Sequence, residues 1–186
     1  MENAHVPQPV YRPARLADLH DIADIEAGVF PEPYLYLMLR QLFELHGSEW
    51  LVAELDGAVI GYALTLERGG RSVLFTFAVV ERLRCRGYGR SLVDHVLHRC
   101  VSIGAEVTVT VHPDNDPAWN LFKRAGFVFE AHDDRYFGPG EPRDILRYAA
   151  RNGRALRADR ATRDDQVAVA TSVDSKSWGR SHRPPQ

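Results

Sequence analysis

Hydrophobic positions along the chain alternate between the spacing typical of β-strands and the spacing typical of α-helices. Short runs rich in Val, Ile, Leu and aromatic residues are bounded by glycine, proline or aspartate turns, which indicates strands. The run 73–80 is apolar except for Thr76, which is typical of a strand buried on both faces. Seven strands are predicted, at residues 10–13, 50–55, 59–66, 73–80, 106–112, 128–133 and 145–148.

Between these strands, apolar residues recur three and four positions apart, as on the buried face of an amphipathic helix. Four helices are predicted, and glycine follows three of them, which is a common signal of a helix end. They lie at 19–29 after Asp18, at 35–46 before Gly47, at 92–103 before Gly104, and between Asp116 and Gly126. Strands that alternate with helices predict a layered α/β (α+β) domain.

The two ends of the chain differ from this pattern. Residues 1–9 are polar and interrupted by Pro7 and Pro9, which predicts a flexible arm. Residues 151–186 contain few large apolar side chains, so we expect a disordered tail. The tail carries 8 basic and 4 acidic residues, whereas residues 1–150 carry 15 and 21. The prediction is therefore one acidic domain, residues 10–150, followed by a basic tail.

Composition narrows the possible partners and the compartment. The net charge of −2 argues against a general nucleic-acid-binding protein, which would carry a clear basic excess. No apolar run approaches the length of a membrane-spanning helix, and residues 1–10 lack the pattern of a signal peptide. Two cysteines do not make a disulfide scaffold. We expect a cytoplasmic protein with neither a nucleic-acid nor a membrane partner, and the oligomeric state stays open.

A glycine-containing turn is the segment with the strongest chemical signal. Arg84-x-x-Gly87-x-Gly89 follows the buried strand and precedes a helix. Glycines let a ligand approach the backbone closely, and the start of a helix offers free N–H groups and a positive dipole to an anion. Arg84, Arg86 and Arg90 would add charged donors. The pattern favours a phosphate or pyrophosphate site, and a tight strand-to-helix connection with surface arginines is the alternative.

Two other phosphate-binding motifs do not fit this turn. The chain lacks the Gly-x-x-x-x-Gly-Lys-Ser/Thr loop of nucleotide triphosphatases. A dinucleotide fingerprint would need a third glycine at position 92, which is Leu92.

The turn and a second segment together resemble the GNAT acyltransferase superfamily. Phe75-Thr76-Phe77-Ala78-Val79 followed by Arg84-x-x-Gly87-x-Gly89 looks like the acetyl-CoA-binding motif of that family. Asn115-x-x-Ala118-x-x-Leu121-Phe122-x-x-x-Gly126-Phe127 is similar to its second signature. The opening Tyr11-Arg12-Pro13-Ala14-Arg15-x-x-Asp18 also has the look of the family's first strand, and the resemblance extends over 10–148.

This resemblance implies the GNAT fold, a mixed central sheet of about seven strands in which one parallel strand pair splays apart to hold acetyl-CoA. No metal is implied, and His95 and His98, three apart on a helix, have no suggested ligand partner. The amine acceptor would attack the thioester directly through a tetrahedral intermediate. The residues implied in cofactor binding are Phe77, Ala78, Val79, Arg84, Arg86, Gly87, Tyr88, Gly89, Arg90, Ser91, Asn115 and Phe122.

Within the superfamily, the chain looks most like N-terminal (α-amino) acetyltransferases of the ribosomal-protein type. The segment 135–144 is similar to their tyrosine-containing Tyr-Tyr-x-x-Gly-Glu-Asp-Ala segment, and 30–33 resembles the acceptor loop after their first helix. The likeness implies four acceptor-binding residues: Glu32, Tyr34, Thr110 and Tyr136.

Both catalytic positions of that subgroup are changed in this chain. The tyrosine that protonates the departing thiolate falls on Phe122, and the general-base glutamate falls on Thr110. His112 and Tyr136 are the candidate catalytic residues in their place, because a histidine can take a proton near neutral pH and a phenol can donate one. A histidine bonded to the adjacent turn and a core tyrosine are the structural alternatives.

Three functions remain open from the sequence. The first is acetyl transfer from acetyl-CoA to a primary amine, which could be a protein N-terminus. The second is the same reaction on a small amine such as an antibiotic or a polyamine. The third is a non-catalytic acyl-CoA-binding regulatory module, which the changes at Phe122 and Thr110 would allow.

Overall fold

The computed structural model describes residues 8–148, and these form seven strands and four α-helices, as predicted. The strands are β1 Val10–Pro13, β2 Trp50–Leu55, β3 Ala58–Arg68, β4 Arg71–Val79, β5 Glu106–Val111, β6 Val128–Asp133 and β7 Arg143–Tyr148. The helices are α1 Leu19–Val29, α2 Tyr36–His46, α3 Tyr88–Ser102 and α4 Asp116–Ala125. The predicted disordered tail and most of the predicted arm lie outside the described residues.

All seven strands belong to one mixed sheet. Their order is β1-β2-β3-β4-β5-β7-β6. The β4–β5 pair is parallel and the other pairs are antiparallel. The parallel pair requires a crossover, and α3 supplies it on one face of the sheet.

The sheet separates two hydrophobic cores. One core lies under α3 and α4 and contains Leu92, Val96, Val107 and Phe122. The other lies under α1 and α2, where Ile22 and Leu39 pack on aromatic and aliphatic residues of the sheet. Side chains alternate between the faces along the regular stretches of the strands, so that neighbouring residues there enter different cores.

The predicted start of α3 is wrong, because the helix begins at Tyr88, four residues before the apolar stripe that predicts it. Gly87 precedes the helix with φ of 87°, a left-handed conformation that glycine adopts without strain. The amide of Ser91 already donates to the carbonyl of Gly87 at 3.0 Å. The glycine turn is therefore shorter than predicted, and residues 88–91 form the first turn of the helix.

The parallel strands β4 and β5 pair over only three residues. Their register runs from Arg71 opposite Glu106 to Val73 opposite Thr108, and no pairing is present beyond that point in the described chain. On the other side of β4, Thr76 pairs with Leu64 and Leu74 pairs with Thr65, which leaves Phe75 as an extra, bulged residue. A bulge bends its strand and increases the local twist, so it accounts for the departure of β4 from β5.

The C-terminal half of β4 also depends on a close approach to β3. A Cβ atom built on Gly61 would lie 2.8 Å from the carbonyl oxygen of Ala78. We expect Gly61→Ala to destabilise the fold by about 1–3 kcal/mol, because the contacted atom is backbone and cannot turn away. Thermal or denaturant unfolding measures this difference.

Gly28→Ala is the matched control, because a Cβ at Gly28 would meet nothing within 4 Å. Gly28 is exposed on α1, so alanine there should stabilise the helix by up to about 1 kcal/mol. Equal stability of the two variants would contradict the close packing of β3 on β4.

Candidate active site

The gap between β4 and β5 is the centre of the candidate site. In the antiparallel β3–β4 pair, the amide of Val80 donates to the carbonyl of Ile60, and the bonding pairs therefore alternate from there along β4. By this alternation, Ala78 directs its N–H and C=O toward β3, whereas Phe77 and Val79 direct theirs toward the gap. Of the three strand residues predicted to bind the cofactor, two thus offer backbone groups to a ligand in the gap.

The predicted anion site lies beyond the C-terminal end of β4. The amides at the start of α3, from Tyr88 to Arg90, have no acceptor within the helix and point out of its first turn. Gly87, Arg84 and Arg86 are exposed beside them. The Nε of Arg84 donates to the carbonyl of Val79 at 3.4 Å, which ties the turn to the end of β4.

Arg90 is placed differently from the other two arginines. Its Nε donates to the carboxylate of Asp94 at 2.9 Å, and its guanidinium also donates to the carbonyl of Arg124. Arg90 therefore links α3 to the end of α4. The four-residue spacing of Arg90 and Asp94 on one helix was a signal of this pairing that sequence reasoning did not use.

Acetyl-CoA fits what these residues offer. A pyrophosphate needs N–H donors and positive charge, and the start of α3 and the arginines at 84 and 86 supply both. An extended chain that carries amide groups needs free backbone groups. In the gap Phe77 supplies its N–H and C=O and Val79 its N–H, since the Val79 carbonyl already accepts from Arg84. Phe122, predicted to bind the cofactor, is only 4% exposed, and its ring packs edge-on against Phe77 with centroids 6.0 Å apart.

His112 and Asn115 make local bonds in the turn between β5 and α4. The Nδ1 of His112 accepts the amide of Asp114 at 3.2 Å, so the ring proton of the neutral form lies on Nε2. The side chain of Asn115 accepts the amide of Ala118 at 3.2 Å and caps α4. His112 could accept a further proton only by giving up its turn bond.

Thr110 and Tyr136 belong to the part of the sheet on the β5 and β7 side of the gap. Thr110 is half-buried on β5, opposite Ile145 of β7. Tyr136 is half-buried in the connection between β6 and β7, where its ring packs edge-on against Phe137 at 4.6 Å. Burial is the main cause that raises the pKa of the Tyr136 phenol, and the nearby charge of Asp133 raises it further. The phenol is therefore protonated at neutral pH.

The loop 30–35, which contains the predicted acceptor segment 30–33, lies on the other side of β4. Glu32 is exposed in this loop. Tyr34 is half-buried and stacks on Phe75, with ring centroids 5.6 Å apart and ring planes inclined by 19°. Because Phe75 is the bulged residue of β4, the loop is attached to the strand at the point where the gap opens.

A buried carboxyl group behind this loop was missed by sequence reasoning. Glu26 of α1 is 1% exposed, and its carboxyl accepts hydrogen bonds from the hydroxyls of Tyr62 and Thr76 and from the amide of Tyr34. Burial raises the pKa of Glu26, and the three hydrogen bonds oppose that rise. The available signal was its position, because Glu26 lies next to Ile25 and four residues after Ile22 on the predicted apolar face.

A second network that the sequence did not predict connects β6, β7 and α4. His132 contacts the carboxylates of Asp144 at 2.7 Å and Asp134 at 3.0 Å. Asp144 also accepts the indole N–H of Trp119 at 3.0 Å. The hydrogen bond with Asp144 is the main cause that raises the pKa of His132, followed by the bond with Asp134. This network joins the connection that carries Tyr136 to the helix that follows His112.

Neither a metal site nor a membrane-spanning helix is found in the described chain. Residues 8–148 contain no group of three His, Cys, Asp or Glu side chains placed to hold a metal ion. His95 bonds through Nδ1 to the carbonyl of Ser91 at 2.8 Å and stacks on Tyr11. In the same part of the chain, no helix has the length and apolar character needed to cross a bilayer.

Comparisons with known proteins agree with the predicted family. A model of the acetyltransferase (GNAT) family matches residues 19–127. The N-alpha-acetyltransferase of Sulfurisphaera tokodaii is 30% identical over 146 residues, which cover 70% of this chain and 86% of that protein. The L-amino acid N-acetyltransferase AaaT of Escherichia coli is 30% identical over 113 residues, 57% of this chain and 69% of that protein.

The fold is similar to that of solved structures as well. The crystal structure of Ard1 from Thermoplasma volcanium superposes with a TM-score of 0.70 at 24% identity. It covers 76% of this chain and 97% of that one. At this identity the likeness concerns the fold.

The His132 network gives a titration that can be measured directly. In NMR spectra, His132 should titrate above its ordinary pKa of about 6.5, and Asp144→Asn should move its pKa down. Since the pKa is raised by folding, the stability that His132 contributes is present below its unfolded pKa and is lost as the pH rises through the folded value.

Asp24→Asn is the control, because Asp24 is an exposed acid on α1, outside this network. The network would be refuted if His132 titrated identically in the protein with Asp144 and in the variant without it.

Proposed function

Because the chain belongs to the GNAT acetyltransferase family and is an N-acetyltransferase that takes its acetyl group from acetyl-CoA, we propose that its acceptor is the α-amino group of a protein N-terminus. The observation that carries this proposal is the 30% identity to an N-alpha-acetyltransferase over most of both chains. We place the catalytic domain at residues 10–150 and the enzyme in the cytoplasm, where both acetyl-CoA and new protein N-termini occur.

The arrangement of the two loops supports an extended acceptor. The loop 30–35 lies against β4 through Tyr34 and Phe75, and the connection 134–142 lies beyond β5 through its neighbour β7. The gap between β4 and β5 opens between them. A chain terminus could thus enter between the two loops while the cofactor enters from the side of α3.

Charge also separates the two sides of the gap. The start of α3 carries Arg84 and Arg86, which suit the anionic cofactor. The acceptor side carries Glu32 on one loop and Asp133 and Asp134 next to the other. Carboxylates at the mouth would attract a cationic N-terminus before it loses its proton.

Acetyl-CoA supplies the acetyl group as a thioester, and transfer forms a C–N bond and breaks the C–S bond. The ammonium loses two protons on becoming an amide N–H, of which one is delivered to sulfur and the other is released to solvent. The gap-facing amides of Phe77 and Val79 are donors suited to a developing oxyanion. We assign protonation of the departing sulfur to Tyr136, because Phe122 has no hydroxyl. His112 would need to exchange its bond with the Asp114 amide to receive the proton of the amine.

A small amine is the second candidate acceptor. It is favoured by the 30% identity to the L-amino acid N-acetyltransferase of Escherichia coli, which covers less of both chains. The two candidates differ in what the space between the loops must hold. A protein N-terminus brings a peptide chain with it, whereas a free amino acid does not.

A screen with two matched panels tests the acceptor. One panel contains short peptides that vary in their first residue and include a lysine. Each peptide is matched by a version in which the α-amine is already acetylated and the lysine side chain is free. The other contains amino acids, polyamines and aminoglycosides. We expect CoA release only with free α-amine peptides and acetyl on that amine by mass spectrometry. Turnover confined to small amines, or to the lysine of the blocked peptides, would refute the proposal.

Tyr136→Phe tests the assigned acid. We expect kcat to fall by about 100-fold, within the usual range for loss of a general acid, with little change in the KM of acetyl-CoA. Tyr148→Phe is the matched control, because Tyr148 packs on Phe127 outside the proposed site. An unchanged kcat in Tyr136→Phe would remove the residue from the mechanism.

His112→Ala tests the base in the same assay. If His112 receives the proton of the amine, its removal should lower kcat by about 100-fold. An unchanged kcat would leave solvent as the acceptor of that proton.

A further inference from the structure

The carboxyl of Glu26 lies in a layer of the protein that is otherwise largely apolar. It is 1% exposed and faces the core that contains Ile22, Trp50 and Leu64. Burial of a carboxyl group costs free energy unless hydrogen bonds compensate for the lost water. Replacement of buried ionic groups by apolar residues often leaves stability unchanged or improves it. Stability alone therefore does not account for this carboxyl, and its role lies in the groups that donate hydrogen bonds to it.

Three elements donate to this one group. Its Oε1 accepts the hydroxyl of Tyr62 from β3 and the hydroxyl of Thr76 from β4, the latter at 3.0 Å. Its Oε2 accepts the backbone amide of Tyr34 at 3.2 Å. The hydroxyls of Tyr62 and Thr76 lie 3.0 Å apart, and each has a single proton, so one could donate to the other only by giving up its bond to Glu26.

Two of these donors adjoin the aromatic pair at the edge of the gap. Tyr34 itself supplies one member of the stack, and Thr76 directly follows Phe75, the other member. Glu26 thus holds the backbone of one ring and the strand position next to the other. Because Phe75 is the bulged residue, a shift of Thr76 would also alter the bend of β4.

We propose that Glu26 is a positioning residue that sets the acceptor side of the pocket, by holding the loop 30–35 at a fixed distance from the bulge in β4. It does not touch the reacting atoms and acts through Tyr34 and Phe75. The proposal rests on the proposed function in one respect only, that the loop 30–35 receives the acceptor amine.

Glu26→Gln separates positioning from folding. The amide keeps the shape of the side chain but offers only one acceptor oxygen, so one of the three donors loses its partner. Loss of one buried hydrogen bond is worth about a tenfold change in equilibrium. We expect the KM of the acceptor to rise by about tenfold, with the KM of acetyl-CoA unchanged.

Asp18→Asn is the matched control. Asp18 is a buried acid just before the same helix, and it pairs with Arg12, away from the loop. This variant should lower the unfolding temperature and leave the acceptor KM unchanged. If both variants lower stability and neither changes the acceptor KM, Glu26 is structural only and the proposal fails.

A second pair keeps the test decisive if Glu26→Gln does not fold. Thr76→Val removes the hydroxyl at nearly constant shape, whereas Thr76→Ser retains it. We expect a raised acceptor KM in the valine variant and a KM close to that of the unmodified enzyme in the serine variant. Equal acceptor KM values in the two variants would overturn the proposal.

Hydrogen exchange tests whether Glu26 holds the loop 30–35, and this measurement needs no acceptor amine. The amide of Tyr34 should be protected in the unmodified protein and exchange faster in Glu26→Gln or Thr76→Val, but not in Asp18→Asn. Unchanged protection of this amide in Glu26→Gln and in Thr76→Val would refute the proposal that Glu26 holds the loop. Kinetics use whichever amine the unmodified enzyme acetylates. If the enzyme acetylates only small amines, the proposed acceptor is refuted, but hydrogen exchange at Tyr34 still tests the role of Glu26.

Discussion

The bulge at Phe75 is the local feature on which the candidate site depends. By adding one residue to β4 opposite β3, it bends the strand after only three residues of pairing with β5. Backbone groups that would otherwise form a continuous parallel ladder then face an open gap, as those of Phe77 and Val79 do. An unpaired buried backbone group is costly, so a sheet that opens in this way needs a ligand or water to complete it.

The elements around the gap divide the work between the two faces of the sheet. Phe77, Tyr88 and Phe122 belong to the core under α3 and α4, which supports the start of α3 and the exposed arginines. Tyr34 and Phe75 belong to the core under α1 and α2, together with Tyr62, which bonds to Glu26. Donor recognition and acceptor recognition therefore rest on different sets of packed side chains.

Several elements were predictable from periodicity because they bury one clear face, as in 106–111 and 92–101. The bulge was not, since an apolar run such as 73–80 reads the same with or without an extra residue. Contacts between distant residues were also missed: His132 meets Asp144 only through the register of β6 on β7. Glu26 was not singled out, because its hydroxyl partners lie far away in sequence, on β3 and β4.

The division into two cores has a consequence for how such a protein can change over generations. Substitutions in the layer under α1 and α2 that spare the bulge at Phe75 and Thr76 can reshape the loop 30–35 while the layer under α3 and α4, and with it the cofactor turn, is left intact. Distant positions with no shared partners usually act additively. A lineage could thus change its acceptor through substitutions in one layer, while the layer on the other face of the sheet continues to support cofactor binding.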